Sequence, residues 1–345
     1  MPFHRLLGSG LSARLFTDLA SLSPDRPETL VTANDRFFVR TAAPASLPDA
    51  SAWTIDVGGL VQRPAALALA SFEAQVSRGG RFLLECSGNS DPSNYGLLSA
   101  ADWDGIPLLP LLDRVRPSAS GTRILVAGVD DPADPAGTSV PGASWIFSRD
   151  DLRRALLATR MNGAPLPRDH GFPVRLIVPG WYGCACIKWV NRIDVVADDA
   201  PATAQMREFA GRTHQPFDSP ADAGSLRARD FIPAVIDTAA MPVRVEQWTA
   251  DGGVFYRIVG IVWGGTSPPG PTNALSIRFR QNLPWARVEN CPMPASTDTW
   301  SLWTHTWRPA EPGRYTIVLR VDDPKIRTRR LDLFFYARDV DISEV

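Results

Sequence analysis

A cysteine at the end of an apolar run is the first residue whose type and position suggest chemistry. Cys86 follows the apolar residues at 82–84 and precedes the sequence Ser-Gly-Asn at 87–89. Glycine lets the backbone turn sharply and approach a ligand, and a thiolate is the soft ligand that a polarisable metal prefers. Because a cysteine after a strand is more often a small core residue, these residues alone leave a metal ligand and a core thiol both open.

A second set of residues suited to binding lies between positions 161 and 189. His170, Arg175 and Lys188 carry hydrogen-bonding or cationic side chains that would hold a phosphate if they converged on it. Several glycines between them permit close approach of the backbone. The alternative is a pair of strands joined by hairpins, with these charges on the surface, and the spacing alone does not decide between the two.

The other cysteines and histidines carry weaker signals. A zinc site that combined Cys184 and Cys186 with Cys291 is one alternative, although the spacing and the missing histidines favour thiols in the core or along a loop. His214 is either a group for proton transfer near neutral pH or a solvated residue between domains.

The elements that must position these residues are short strands and a few helices. Residues 1–35 are predicted to form an N-terminal arm, and residues 36–200 a domain that mixes helices with strands. The predicted strands of this domain are 53–57, 81–85, 123–129, 174–178 and 193–196. The predicted helices are 71–75, with Ser71 as the N-cap, and 149–159, where Leu152 and Leu156 have helical spacing.

The C-terminal part has a different pattern. Residues 201–235, rich in Ala, Pro and Asp, are predicted to form a linker, and residues 236–345 alternate short strands with turns. This alternation is typical of an immunoglobulin-like sandwich, in which the many tryptophans would serve as core residues and interface anchors. The predicted fold class is therefore α+β, a mixed α/β domain followed by an all-β sandwich. The predicted strands of the sandwich are 243–248, 255–262, 274–280, 301–306, 315–321 and 331–336.

Composition excludes several classes of function. The net charge of −1 among 345 residues gives no electrostatic footprint for nucleic acid or for an anionic membrane surface. No apolar run approaches the roughly 20 residues of a membrane span. The N-terminal residues contain neither a twin-arginine pair nor a clean secretory signal, so we expect a cytoplasmic protein, or a periplasmic one if the chain is a processed form.

The motifs, taken in order, resemble the sulfite oxidase family of molybdopterin enzymes. The resemblance covers roughly residues 36–336 and implies a molybdopterin-binding oxidoreductase domain followed by an immunoglobulin-like dimerisation domain. The segments that carry it are Cys86-Ser87-Gly88-Asn89, the run from Asn162 through His170 to Arg175, Val-Pro-Gly at 178–180, Lys188-Trp189, Phe-Phe-Val-Arg at 37–40, residues 101–108 and residues 256–265.

The resemblance also implies roles for individual residues. Cys86 matches the family's metal-binding cysteine, and Arg40 matches an arginine of the substrate pocket. The positions that hold the pterin and its phosphate are matched by His170, Arg175 and Lys188. The other metal ligands of the family come from the pterin dithiolene and from oxo or hydroxo groups, so one protein thiolate suffices.

The implied cofactor is molybdenum–molybdopterin. The sequence contains no motif of a haem-binding domain and no flavin fingerprint, so electrons are expected to pass to or from a separate electron-transfer partner. The resemblance further implies a small-molecule substrate and a homodimer.

Two positions depart from the family pattern. Asp91 stands five residues after Cys86, where a sulfite-oxidising member has arginine, and Phe209 falls at the position of the active-site tyrosine. At about 5 Å and an effective dielectric constant near 20, each pair of unit charges is worth about 3 kcal/mol, so exchanging arginine for aspartate disfavours an anion by roughly 6 kcal/mol. The family's C-terminal pocket arginine has only weak candidates here, namely Arg327, Arg329 and Arg330.

The expected function is two-electron oxygen-atom transfer with a substrate other than sulfite, such as another sulfur compound or an S- or N-oxide. Sulfite would no longer be disfavoured if Arg207 or Arg212 neutralised the charge of Asp91. The alternative is a catalytically silent molybdopterin-binding protein of the same fold, which the altered pocket residues also favour.

Overall fold

The computed structural model describes residues 14–89, 96–129, 143–213, 215, 226–265, 275–289, 298–324 and 337–345. The chain forms two compact units. Of the described residues, 14–17, 32–89 and those from 96 to 234 belong to the first unit. The second unit contains 18–31 and the described residues from 235 onward.

The first unit is built from two sheets and, in its described residues, two short α-helices. The strands are β1 Thr54–Gly59, β2 Ala65–Ala68, β3 Ser77–Glu85, β4 Leu98–Pro107, β5 Arg123–Gly128, β6 Ser144–Ser148, β7 Leu156–Met161, β8 Ala164–Pro165, β9 Arg175–Ile177 and β10 Val190–Val196. One sheet has the strand order β2-β1-β10-β5-β6, and the other has the order β3-β4-β7-β8 with β9 paired to β7. The helices are α1 Leu108–Asp113 and α2 Ala204–Glu208.

The strands follow from the pattern of apolar residues. Buried positions alternate with less buried ones along β5 and β10, whereas all three residues of β9 are buried. The predicted strands at 53–57, 81–85, 123–129, 174–178 and 193–196 are confirmed, with bounds that differ by a few residues.

The predicted helix at 149–159 is wrong. The structure has a short 3-10 turn at Asp150–Leu152, followed by β7. Leu152 and Leu156 have helical spacing, but the consecutive residues from Leu156 to Ala158 are all buried, because β7 is covered on both faces.

The predicted helix at 71–75 exists as a 3-10 helix, Leu69–Gln75. Ser71 is not its N-cap. That position is occupied by Ala68, and the Ser71 hydroxyl donates to the Ala68 carbonyl at 2.7 Å. Farther along the chain, α2 lies within the segment predicted to be a linker, and the described residues of that segment up to position 234 group with the first unit.

The second unit is an all-β sandwich of two sheets, as predicted, with strand orders β11-β12-β15 and β14-β13-β16-β17. Trp307 of one sheet stacks on Phe279 at 4.0 Å between ring centroids and meets Tyr315 of the other sheet edge-on at 4.7 Å. The predicted strand at 331–336 lies outside the described residues. The strands are β11 Ala239–Ala250, β12 Gly253–Trp263, β13 Leu275–Arg278, β14 Ala286–Arg287, β15 Ser301–Trp307, β16 Gly313–Val321 and β17 Ala337–Ile342.

The tryptophans of the second unit are mostly buried, as the prediction of core residues expects, with two exceptions, one of which is the exposed Trp248. Trp263, Trp300 and Trp303 are buried, whereas Trp285 is half-buried between the guanidinium groups of Arg278 and Arg320. No helix among the described residues is both long and apolar enough to span a membrane.

The Asn162 side chain fixes residues 32–34, which precede the pocket-lining residues 37–41. Asn162, which follows β7 with a φ of 53°, accepts a hydrogen bond from the Asp102 backbone N–H at 2.9 Å. Its Nδ2 donates to the Thr32 carbonyl at 2.9 Å and to the Asn34 side chain at 2.8 Å. Asn162 therefore holds the chain at residues 32–34 against β4.

We expect Asn162→Ala to lower the free energy of unfolding by about 1–3 kcal/mol, because it leaves partly buried backbone groups without partners. Chemical denaturation measures this loss. Asn282→Ala, at an exposed position, is the matched control and should change stability by less than about 0.5 kcal/mol. Equal effects of the two variants would contradict the role given to Asn162.

Candidate functional site

The predicted site residues come together in one pocket of the first unit, a cavity of about 130 Å³. Six of the seven line it, and the seventh, Asp91, lies outside the described residues, as do His214, Cys291 and the C-terminal arginine candidates. The six are Arg40, Cys86, His170, Arg175, Lys188 and Phe209.

Cys86 is positioned by the turn that ends β3. Asn89 is fully buried, and its Nδ2 donates to the Glu85 carboxylate at 3.1 Å while its Oδ1 accepts from the Gly96 and Leu97 amides at 3.2 and 3.1 Å. The Gly88 amide donates to Cys86 Sγ at 3.4 Å. Asn89 thus fixes the turn, and the turn directs a backbone N–H at the Cys86 sulfur.

Arg175 supplies a buried positive charge to the opposite part of the pocket. Its Nη1 and Nη2 donate to the carbonyls of His170 at 3.1 Å and Cys186 at 3.0 Å. The Nε atom is buried and makes no hydrogen bond to any described residue. Burial lowers the pKa of Arg175 to about 10, so the group stays cationic at neutral pH. Because no described carboxylate forms an ion pair with it, the charge is available to an anion.

Lys188 lies beside Arg175. Its Nζ donates to the carbonyls of Thr41 at 2.5 Å and Asp169 at 2.9 Å, and it sits 4.3 Å from the centroid of the Trp189 ring. Gly171 allows this proximity, since a Cβ at that position would lie 3.0 Å from the Arg175 Cβ and 3.2 Å from the Lys188 Cβ. The two cations are therefore neighbours.

His170 is held neutral by these surroundings. Burial first, and then the positive charges of Arg175 and Lys188, lower its pKa to about 3. The Nε2 atom lies 3.2 Å from the Asn34 carbonyl oxygen, which only accepts hydrogen bonds. Nε2 must therefore carry the proton, and Nδ1 remains as an acceptor.

Phe209 and Gln205 come from α2. The Thr203 side chain caps this helix by accepting from the Met206 amide at 3.2 Å. Gln205 is buried, and its Nε2 donates to the Cys184 carbonyl at 2.5 Å. Phe209 follows Gln205 by one helical turn, and both side chains reach the pocket. Gln205 was not predicted as a pocket residue, although its i, i+4 spacing from Phe209 places both side chains on one face of a helix.

Two further thiols line the pocket, Cys184 and Cys186. Burial raises the pKa of both. The alternative of a zinc site requires Cys291, which lies outside the described residues. Among the described residues, no group of three His, Cys, Asp or Glu side chains is arranged to hold a metal ion.

The donor set fits a cofactor that is anionic and brings most of its own metal ligands. Cys86 offers a thiol, the Arg175 Nε offers a buried donor, and Arg175 and Lys188 are neighbouring cations. A molybdenum–pterin phosphate has these properties. Cys86 would hold the metal, and Arg175, Lys188 and His170 would hold the pterin and its phosphate.

Comparisons with known proteins agree with this fit. The family model of the oxidoreductase molybdopterin binding domain matches residues 42–204. Mitochondrial sulfite oxidase of Mus musculus is 28% identical over 326 residues, which cover 86% of this chain and 57% of the mouse protein. Sulfite oxidase of Gallus gallus is 31% identical over 202 residues, which cover 53% of this chain and 43% of the Gallus gallus protein. NADH nitrate reductase of Cichorium intybus is 29% identical over 187 residues, which cover 49% of this chain and 20% of the Cichorium intybus protein.

The fold has a solved counterpart. The crystal structure of the sulfane dehydrogenase SoxCD from Paracoccus pantotrophus superimposes with a TM-score of 0.71 at 17% identity, over 96% of this chain and 85% of that one. The likeness is one of fold. The chain spans about half the length of the sulfite oxidases that it matches.

The neutral state of His170 predicts a pH dependence of stability. The pKa of His170 is about 3 in the folded protein and near 6.5 in the unfolded chain. The contribution of the neutral imidazole to the free energy of unfolding is therefore complete above pH 6.5 and is lost as the pH falls. We expect the unfolding free energy of the cofactor-free protein to lose about 1.4 kcal/mol per pH unit below 6.5 from this group. In His170→Gln the loss between pH 6.5 and 5 should be smaller, as measured by urea denaturation. Equal pH slopes would contradict the burial of a neutral imidazole.

Proposed function

We propose that the chain is a member of the sulfite oxidase family of molybdopterin-dependent oxidoreductases, and that it performs two-electron oxygen-atom transfer at a molybdenum centre whose protein ligand is Cys86. The observation that carries the proposal is the convergence of Cys86 with Arg175, Lys188 and His170 on one pocket. When bound, the cofactor supplies the redox chemistry and the oxygen-atom exchange. Every other task falls to side chains of this chain.

The cofactor-binding side chains act through charge and hydrogen-bond polarity. Arg175 and Lys188 place two positive charges side by side, which favours an anionic phosphate strongly in a pocket shielded from water. His170 offers an acceptor at Nδ1 because Nε2 is committed to the Asn34 carbonyl. Cys86 offers sulfur at a turn whose Gly88 amide donates to that sulfur.

The substrate side of the pocket is formed in this proposal by Arg40, Phe209 and Asp91. Phe209 has no hydroxyl group, so it shapes the pocket without donating a proton. Asp91 opposes an anion, whereas the sulfite oxidases and nitrate reductases among the relatives are named for anionic substrates. We therefore assign a neutral or cationic substrate, either a sulfur compound other than sulfite or an S- or N-oxide.

Electron delivery and assembly belong to the same proposal. A separate redox partner exchanges electrons with the metal, and a second copy of the chain pairs with the first through the β-sandwich. These assignments follow the family and are independent of the pocket chemistry.

A second candidate function is a molybdopterin-binding protein without turnover. Asp91 and Phe209 favour it, because both replace side chains that the family uses on its substrate. Cofactor-loaded protein assayed against sulfite, thiosulfate, sulfoxides, N-oxides and nitrate separates the two functions. Full molybdenum occupancy without activity on any of these would favour the binding protein.

Cys86→Ser should change the absorption and electron paramagnetic resonance spectra of the bound metal, because a hydroxyl replaces a thiolate in its coordination sphere. The pterin content should stay near that of the native protein, since Arg175 and Lys188 are intact. Cys186→Ala is the matched control, because its thiol contacts the Val178 backbone instead, and it should leave the spectra unchanged. Unchanged spectra in Cys86→Ser would exclude Cys86 as the ligand.

Asp91→Arg should improve sulfite oxidation by the cofactor-loaded enzyme. The charge exchange is worth up to roughly 6 kcal/mol at close range, so we expect the KM for sulfite to fall by at least about tenfold. Asp251→Arg makes the same charge change in an exposed turn, at a residue that does not line the pocket, and should have no effect. A native enzyme that already oxidises sulfite with a micromolar KM would overturn the substrate assignment.

A further inference from the structure

The pocket holds a thiol that the proposed function does not use and that lies next to Cys86. The Gly183 amide donates to the Glu85 carbonyl at 2.7 Å, so the backbones at 183 and 85 are adjacent. The next residues along the two segments are Cys184 and Cys86, and both line the cavity. The Cys184 side chain therefore lies near the side chains of Cys86 and Ser87, which line the same cavity.

The third thiol of the pocket is directed elsewhere. Cys186 Sγ accepts from the Val178 amide at 3.5 Å and faces the Val178 carbonyl at 3.8 Å. Its backbone carbonyl is occupied by Arg175. Cys184 is therefore the thiol that the backbone pairing places beside Cys86.

We infer that Cys86 and Cys184 form a reversible disulfide in the cofactor-free protein, and that this bond withholds the Cys86 thiol from the metal until it is reduced. Disulfides require Cα atoms about 4.4–6.8 Å apart, a separation that residues on neighbouring hydrogen-bonded segments have. None of the described cysteines is in a disulfide in the structure, so both thiols are present to form one.

A peroxide is a sufficient oxidant, and it is small enough to enter the cavity. The Cys86 sulfur attacks one peroxide oxygen, the O–O bond breaks, and the departing hydroxide takes a proton to become water. The Cys184 sulfur then attacks the sulfenic sulfur of Cys86, the S–O bond breaks, and a second water leaves. The two sulfurs lose two electrons in total to the peroxide, and the two thiol protons end in the two waters.

The disulfide itself does not depend on the proposed function, whereas its effect on the metal does. In the cofactor-loaded protein the Cys86 sulfur would be bound to the metal, which withdraws electron density from it and makes it a weaker nucleophile toward the oxidant. The bond should therefore form only before the cofactor enters. The same chemistry protects the ligand from irreversible oxidation, because a disulfide is restored to thiols by a dithiol reductant.

The test compares protein from cells that cannot make the pterin with protein from cofactor-competent cells. Each is treated with hydrogen peroxide, alkylated without reduction and digested with trypsin. In the cofactor-free protein we expect a linked pair of peptides, 82–114 carrying Cys86 and 176–188 carrying Cys184 and Cys186, which dithiothreitol separates. Cys186→Ala should keep the link, and both Cys184→Ala and Cys184→Ser should lose it.

The outcomes are distinguishable. Absence of the link from the wild-type protein, its survival in the Cys184 variants, or its loss in Cys186→Ala would overturn the pairing. A link that forms equally in the cofactor-loaded protein would uphold the pairing but overturn its effect on the metal, and with it the assignment of Cys86 as ligand. A link confined to the cofactor-free protein supports both parts.

Discussion

The buried positive charge of Arg175 is the constraint on which the rest of the site depends. Moving an ion out of water costs several kcal/mol, and here two carbonyls and the face of Trp103 offset only part of that cost. The same charge helps to keep His170 neutral and has Lys188, a like charge, as its neighbour. An arrangement that is unfavourable for the empty protein becomes favourable once an anion lies between these groups, so the electrostatics are suited to binding and not to stability.

Cys86 and the two cations, Arg175 and Lys188, belong to segments that are far apart in sequence and meet through backbone contacts. The Gly183–Glu85 hydrogen bond joins the turn after β3 to the loop that leads to Lys188, and Asn89 holds that turn from within. Position therefore depends on main-chain groups more than on side-chain packing. This explains why the turn residues after Cys86 are small or form hydrogen bonds to the backbone.

Alternation in the sequence was enough to predict most strands, whereas the six pocket residues were predicted from the ordered motifs that resemble the sulfite oxidase family. The helix expected at 149–159 failed, since the spacing of Leu152 and Leu156 says nothing about a strand covered on both faces. Gln205 and the pairing of Cys184 with Cys86 were missed for another reason. The pairing of Cys184 arises from a contact across the fold that no spacing within one segment encodes, and the i, i+4 spacing of Gln205 from Phe209 is informative only if a helix is recognised in the segment predicted to be a linker.

The pocket is lined by residues that extend from Phe37 to Phe209, so it is among the least local features of the first unit. Contacts between such distant segments carry a high loop-closure entropy and form late in folding. A ligand that binds only the completed pocket withdraws chains from the unfolded population by mass action. The amount of folded protein in a cell should therefore follow the supply of cofactor, with newly made chains more exposed to proteolysis when that supply is short.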